Sequence, residues 1–281
     1  MNKFLHLIIA AFLVQGILAG CIGKSGRTGS ITVISREDGS GTRSAFSELF
    51  GIVDENKNDA ISREAEITGN TAVMMSSVAG DKNAIGYISL GSLDNSVKAL
   101  KINGVKPSQK NVRNGTYVIS RPFNIAVKNN LTPAERDFIN FILSAEGQQT
   151  VEENGYIPLG DLSPKGGGKA AGKITVAGSS SIAPLMEKLR EAYQKINPNV
   201  DIEIQQSDSS TGISAVINGI SGIGMVSREI TKSETDKGLT ALIIAMDGIA
   251  VIVNKENPQN DISKEDVKKI FSGTVKRWDE L

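Results

Sequence analysis

From Ser30 to Leu281, extended apolar runs alternate with stretches of helical spacing, and this alternation constrains the fold more than any other feature. SITVIS, AIGYISLG, TYVISRPFNIAVK, KITVAG, VDIEIQQ, IGMVS and LTALIIAMDGIAVIVN read as strands. Thr42 to Phe50, Asn70 to Val78, Ala134 to Glu153, SIAPLMEKLREAYQKI, STGISAVING and KEDVKKIFSG read as helices. Strands alternating with helices bury both faces of a parallel or mixed sheet, so the predicted class is α/β.

One stretch interrupts the pattern. GDLSPKGGGKAAG, residues 160–172, has a proline, three consecutive glycines and no large apolar side chain after Leu162, so it reads as a flexible linker.

The first twenty residues, MNKFLHLIIAAFLVQGILAG, carry one early cation at Lys3 and an apolar run too short for a committed membrane span, and they read as an export signal. Leu18, Ala19 and Gly20 lead into Cys21, the sole cysteine. This L-A-G-C arrangement resembles the bacterial lipobox, which implies signal cleavage and an acylated N-terminal cysteine followed by a tether to residue 29. What remains, about 260 residues, suffices for one large domain or two of ordinary size.

With Cys21 acylated and the sole histidine, His6, removed with the signal, the mature chain has neither free thiol nor imidazole. Ser-His-Asp and Cys-His nucleophilic chemistry and His/Cys metal sites are thereby excluded. Carboxylate chemistry survives, but no metal or cofactor is expected, and binding becomes the better reading. Balanced charge, 31 basic against 31 acidic residues, argues against a nucleic-acid partner. Any anion must be caught by local geometry.

Three places offer that geometry: DGSGTRS (38–44), AGSSSIAP (177–184) and SDSSTGIS (207–214) each carry small hydroxylated residues and glycine at a helix mouth. The first turn of a helix has unpaired N–H groups and about half a positive charge. A single such mouth is ordinary capping; three in one chain point to convergence on one anion. Arg36 can give a bidentate pair to a tetrahedral oxyanion. Asp38 can help only if the ligand brings a proton, as monohydrogen phosphate does. Ser227-Arg228-Glu229, after the IGMV strand, can add a hydroxyl and a cation. Gly23-Lys24-Ser25 lacks the upstream glycine and strand of a phosphate-binding P-loop.

Taken together, VISREDGSGTRSAF, NAIGYISLGSL, EGQQTVEENGYIPL, KITVAGSSSIAPLMEKL, GIGMVSREI, AMDGIAVIVNKENP and FSGTVKRWDEL resemble the phosphate-binding lipoproteins of ABC-type phosphate importers, the PstS family. The resemblance implies a two-lobe Venus-flytrap fold of the periplasmic-binding-protein kind, type II, with inorganic phosphate held between the lobes. It carries phosphate contacts onto Arg36, Asp38, Ser40, Gly41, Thr42, Ser180, Ser181, Ser209 and Ser227, with Ser179, Ser210 and Arg228 as further candidates. Some relatives have Asp where this chain has Ser227. In the family order KITVAG opens the mature protein and GYIPL lies near its end; here the second half comes first, which implies a circularly permuted chain. The implied lobes are residues 30–116 with 251–281, carrying SREDGSGTR, and residues 117–250, containing the linker. Hinge strands are expected near YVISRPF and AMDGIAV. The implied protein is a monomer, lipid-anchored on the extracytoplasmic face of the cell membrane, whose partners are phosphate and the permease subunits of an ABC importer. A sensing or scavenging receptor without a permease, or a phosphate-ester hydrolase using Asp38 or Glu37, are the alternatives.

Overall fold

The computed structural model describes residues 29–160 and 170–281; the signal, Cys21, the tether up to residue 28 and linker residues 161–169 lie outside the described residues. The first half runs β1 (Thr32–Arg36), α1 (Gly41–Phe50), β2 (Glu66–Thr68), α2 (Thr71–Gly80), β3 (Ala84–Ser89), β4 (Lys98–Ala99), β5 (Lys101–Ile102) and α3 (Gln109–Arg113). Next come β6 (Ser120–Val127), α4 (Pro133–Ile142), α5 (Ala145–Glu153), β7 (Gly172–Ser179), α6 (Ala183–Ile196), β8 (Val200–Ser207) and α7 (Ser209–Ile217). The chain closes with β9 (Ile223–Val226), α8 (Lys232–Thr235), β10 (Thr240–Val253), β11 (Asp261–Ile262) and α9 (Lys264–Phe271).

Nine strands form one mixed sheet in the order β2-β1-β3-β10-β6-β9-β7-β8, with β4 on β10. The 14-residue β10 joins its halves: Thr240 to Gly248 pair with β6, and Ile249 to Val253 pair with β3. Each half has its own core. Phe123, Phe138, Phe141, Val176, Leu185 and Tyr193 belong to one, and Phe46, Tyr87, Val251, Phe271 and Trp278 to the other. Tyr117, Ile119 and Ile249 pack into the second of these, so the crossing falls close to Ser120 and Gly248.

The helix expected over Ala134 to Glu153 is two helices. The Ser144 hydroxyl accepts from the Gly147 N–H and starts α5 afresh. A Cβ on Gly147 would lie 2.1 Å from the Phe141 carbonyl, so the chain turns where only glycine fits. The described ends of the molecule are neighbours: Ser30 bridges Arg277, and the Ile31 N–H donates to the Lys276 carbonyl at 2.8 Å.

Gly178, near the end of β7, has φ +128°, and a Cβ there would meet the Met225 carbonyl at 2.5 Å and the Gly212 Cα at 3.1 Å. This bare backbone lets α7 sit directly on β7 and β9, which sets the start of α7 beside the ends of both strands. Gly178→Ala combines strain at positive φ with a backbone clash, and we expect it to cost about 2 kcal/mol or more; urea unfolding measures it.

Candidate anion-binding site

The strand ends and helix mouths converge on a buried cluster. Arg36 closes β1; Ser40 caps α1, accepting from the Arg43 N–H, and Gly41 and Thr42 form its first turn. From the other half come Ser179 at the end of β7, Ser180 and Ser181 before α6, Ser209 at the start of α7 and Ser227 just after β9. All are buried, Arg36 to 2% exposure.

The two halves touch through these groups. The Thr42 Oγ1 and Ser181 Oγ lie 2.6 Å apart, and Arg36 Nη2 donates to Ser180 Oγ at 3.1 Å. Ser179 Oγ donates to Ser227 Oγ at 2.8 Å, while the Ser227 N–H donates to Ser209 Oγ at 3.1 Å. Every hydroxyl here can turn to donate, so an oxyanion entering the cluster can replace hydroxyl–hydroxyl contacts with charge-assisted ones. The mouths of α1, α6 and α7 add backbone N–H groups and partial positive charge. Among the described residues no cluster of His, Cys, Asp or Glu could hold a metal ion.

Sequence reading did not single out two members. Thr71, the first residue of α2, lies 3.4 Å from Ser180 Oγ, Ser181 Oγ and Arg36 Nη1. Tyr87 supports Arg36 from below: its hydroxyl accepts from the Arg36 N–H at 3.2 Å and lies 2.8 Å from Ser35 Oγ. Burial pushes the Tyr87 phenol up to about 12, so it stays neutral beside the guanidinium.

Asp38 is not part of the cluster. Its side chain is 96% exposed and pairs with Arg43 at 2.8 Å, and it is Glu37 that takes Arg36, at 2.7 Å from Nε and 2.6 Å from Nη2. The turn after β1 swings Asp38 outward toward α1, where Arg43 meets it. Arg228 also stands apart, held by both oxygens of Glu234 at 2.8 and 2.9 Å. Ser210 meets the other half through its backbone, its N–H donating to the Gly39 carbonyl at 3.3 Å, while its hydroxyl faces Arg228.

Two lobes on one sheet with a buried cluster of hydroxyls and one arginine where they meet are the arrangement of a solute-binding protein. A model of the PBP superfamily domain matches residues 13–146 and 163–281. The phosphate-binding protein PstS 2 of Streptococcus agalactiae serotype V is 51% identical, over 100% of this chain and 98% of its own length. A crystal structure of a phosphate-binding protein of a phosphate ABC transporter from Streptococcus pneumoniae TIGR4 superposes with TM-score 0.70 at 47% identity, covering 90% of this chain and all of that one. The chain belongs to the PstS family of phosphate-binding proteins. The S. agalactiae protein aligns end to end and so shares this order of segments, whereas the PstS of Bacillus subtilis aligns over 42% of this chain and 40% of its own length, at 40% identity.

Proposed function

We propose that this chain is an extracytoplasmic receptor that binds inorganic phosphate between its lobes and hands it to the permease of an ABC importer. The observation that carries this reading is the meeting of three hydroxyl-bearing helix mouths and buried Arg36 at the interlobe contact. Phosphate bridging both halves gains its full set of contacts only when they are together, which drives closure. The ligand set comprises Arg36, Ser40, Gly41, Thr42, Ser180, Ser181, Ser209 and Ser227, with Ser179 and Thr71 beside them. The lipobox at Cys21 supports anchoring to the outer face of the membrane. Isothermal titration with phosphate, sulfate and arsenate tests the reading, and heat from none of them refutes it. Ester hydrolysis has less support, because Asp38 lies on the outer surface and Glu37 is engaged by Arg36; a phosphatase assay should be blank.

Asp38→Asn should leave both phosphate affinity and rejection of sulfate unchanged within about twofold, well under the 1.4 kcal/mol of a tenfold change. Competition titration checks it, and a variant that admits sulfate would restore Asp38 to the site.

We also read the chain as permuted relative to family members that open with KITVAG. The adjacency of Ser30 to Arg277 supports this, since in the other order a short surface loop could join these two segments. A gene encoding residues 173–281, a short glycine-rich loop and then residues 30–159 should bind phosphate with similar affinity. Loss of binding in that reordered chain, with the present order competent, would refute the permutation.

A further inference from the structure

The hinge carries a charge pair outside the ligand set. Arg121 of β6 and Asp247 of β10 are register partners at the strand crossing, with side chains 2% and 1% exposed, and Arg121 Nη2 donates to Asp247 Oδ2 at 3.3 Å. Each reaches a different lobe. Asp247 Oδ1 accepts from the Gly91 N–H at 3.3 Å, in the turn after β3, whereas Arg121 Nη1 donates to the Ser227 carbonyl at 2.8 Å. Ser227 is fully buried, and its N–H and hydroxyl are committed to Ser209 and Ser179. Arg121 is also close enough to Arg36 for the two charges to repel.

Stability alone explains this arrangement poorly. Burial penalises both charges, pushing the Asp247 carboxyl up to about 6 against the pull of Arg121. Among the described residues Arg121 Nε has no hydrogen-bond partner, and the hydroxyls of Ser89, Ser92 and Tyr156 crowd around the pair with only loose contacts. Apolar residues of similar volume often replace a buried ion pair without loss of stability. A costly, incompletely satisfied pair aimed at the peptide of a site serine points to a role in the site.

We propose that Arg121 is a positioning residue for the anion site: anchored at the crossing by Asp247, it fixes the Ser227 peptide and places a second positive charge behind the hydroxyls. The inference rests on reading the serine cluster as the phosphate site. Without Arg121 the buried Ser227 carbonyl loses its donor, and the peptide that orients the hydroxyl is free to turn.

The test compares Arg121→Met, the double variant Arg121→Met/Asp247→Leu and Arg121→Lys, by thermal melting without ligand and by isothermal titration with inorganic phosphate. Arg121→Met alone should lose both stability and binding, because it strands Asp247. The double variant should regain most of the melting temperature yet bind phosphate about tenfold or more weakly than the parent. If it binds within about twofold of the parent, the pair is only structural and the inference falls. Should the double variant not fold, Arg121→Lys decides: a lysine keeps the charge but cannot hold both Asp247 and the Ser227 carbonyl in a fixed fork, so binding weakens, and parental affinity overturns the proposal. Arg36→Ala run alongside separates the failures, since phosphate binding that survives Arg36→Ala refutes the site itself, whereas binding lost there but parental in the Arg121 variants refutes only this inference.

Discussion

Arg36→Ala should lower phosphate affinity by about 2 to 4 kcal/mol, within the range for truncating one member of a buried charge pair. Arg36 is the cluster's own cation; the other donors are neutral hydroxyls and backbone N–H groups. Its removal also strands Glu37, whose two oxygens now take Nε and Nη2. That carboxylate, 24% exposed, would then lose its partner beside the cluster, which adds to the loss. Titration calorimetry measures it, and an affinity within about twofold of the parent would place the anion elsewhere.

Local chemistry made much of this site legible. Small hydroxylated residues after a strand and before a helix have few uses besides capping and anion contact, so the three helix mouths could be picked from their neighbours alone, whereas the choice of Ser180, Ser181, Ser209 and Thr42 within them came from the family resemblance. Pairing choices were not legible. Glu37 and Asp38 are adjacent carboxylates beside one arginine, and which of them takes it depends on how the chain turns after β1. That turn is set by the Arg43 contact to Asp38 and by the bond from Arg43 Nη1 to the Arg36 carbonyl, and neither leaves a mark in the sequence. Thr71 was visible as a helix start, but its meeting with Ser180 spans 109 positions and comes only from sheet order. Arg121 and Asp247 did leave a trace, each being a lone charge in an apolar strand, a pattern that signals a buried partner. Within the Ala134 to Glu153 helix, the Ser144-Ala145-Glu146-Gly147 stretch held a capping signal that the periodicity of Phe138, Phe141 and Ile142 obscured.

Gly41→Ala should separate folding from binding. Gly41 is the first residue of α1 and has an ordinary helical backbone, so within its own lobe alanine is neutral or stabilising by up to about 1 kcal/mol. Across the interlobe contact the same methyl would lie 2.4 Å from Ser209 Oγ and 2.8 Å from Ser227 Oγ, and 3.1 Å from the Ser209 Cβ. Turning the hydroxyls aside relieves part of this clash, but those hydroxyls are the ones placed to meet the anion, and the Ser209 Cβ cannot move without its helix. The variant is therefore expected to stay folded while its lobes are held apart. If the closed arrangement falls to about 1% of the population, apparent phosphate affinity falls about a hundredfold. Thermal melting without phosphate should match or exceed the parent, and small-angle scattering at saturating phosphate should show an envelope more open than the parent's. A variant that closes on phosphate as the parent does, with parental affinity, would show that the lobes do not need to meet at Gly41 for binding.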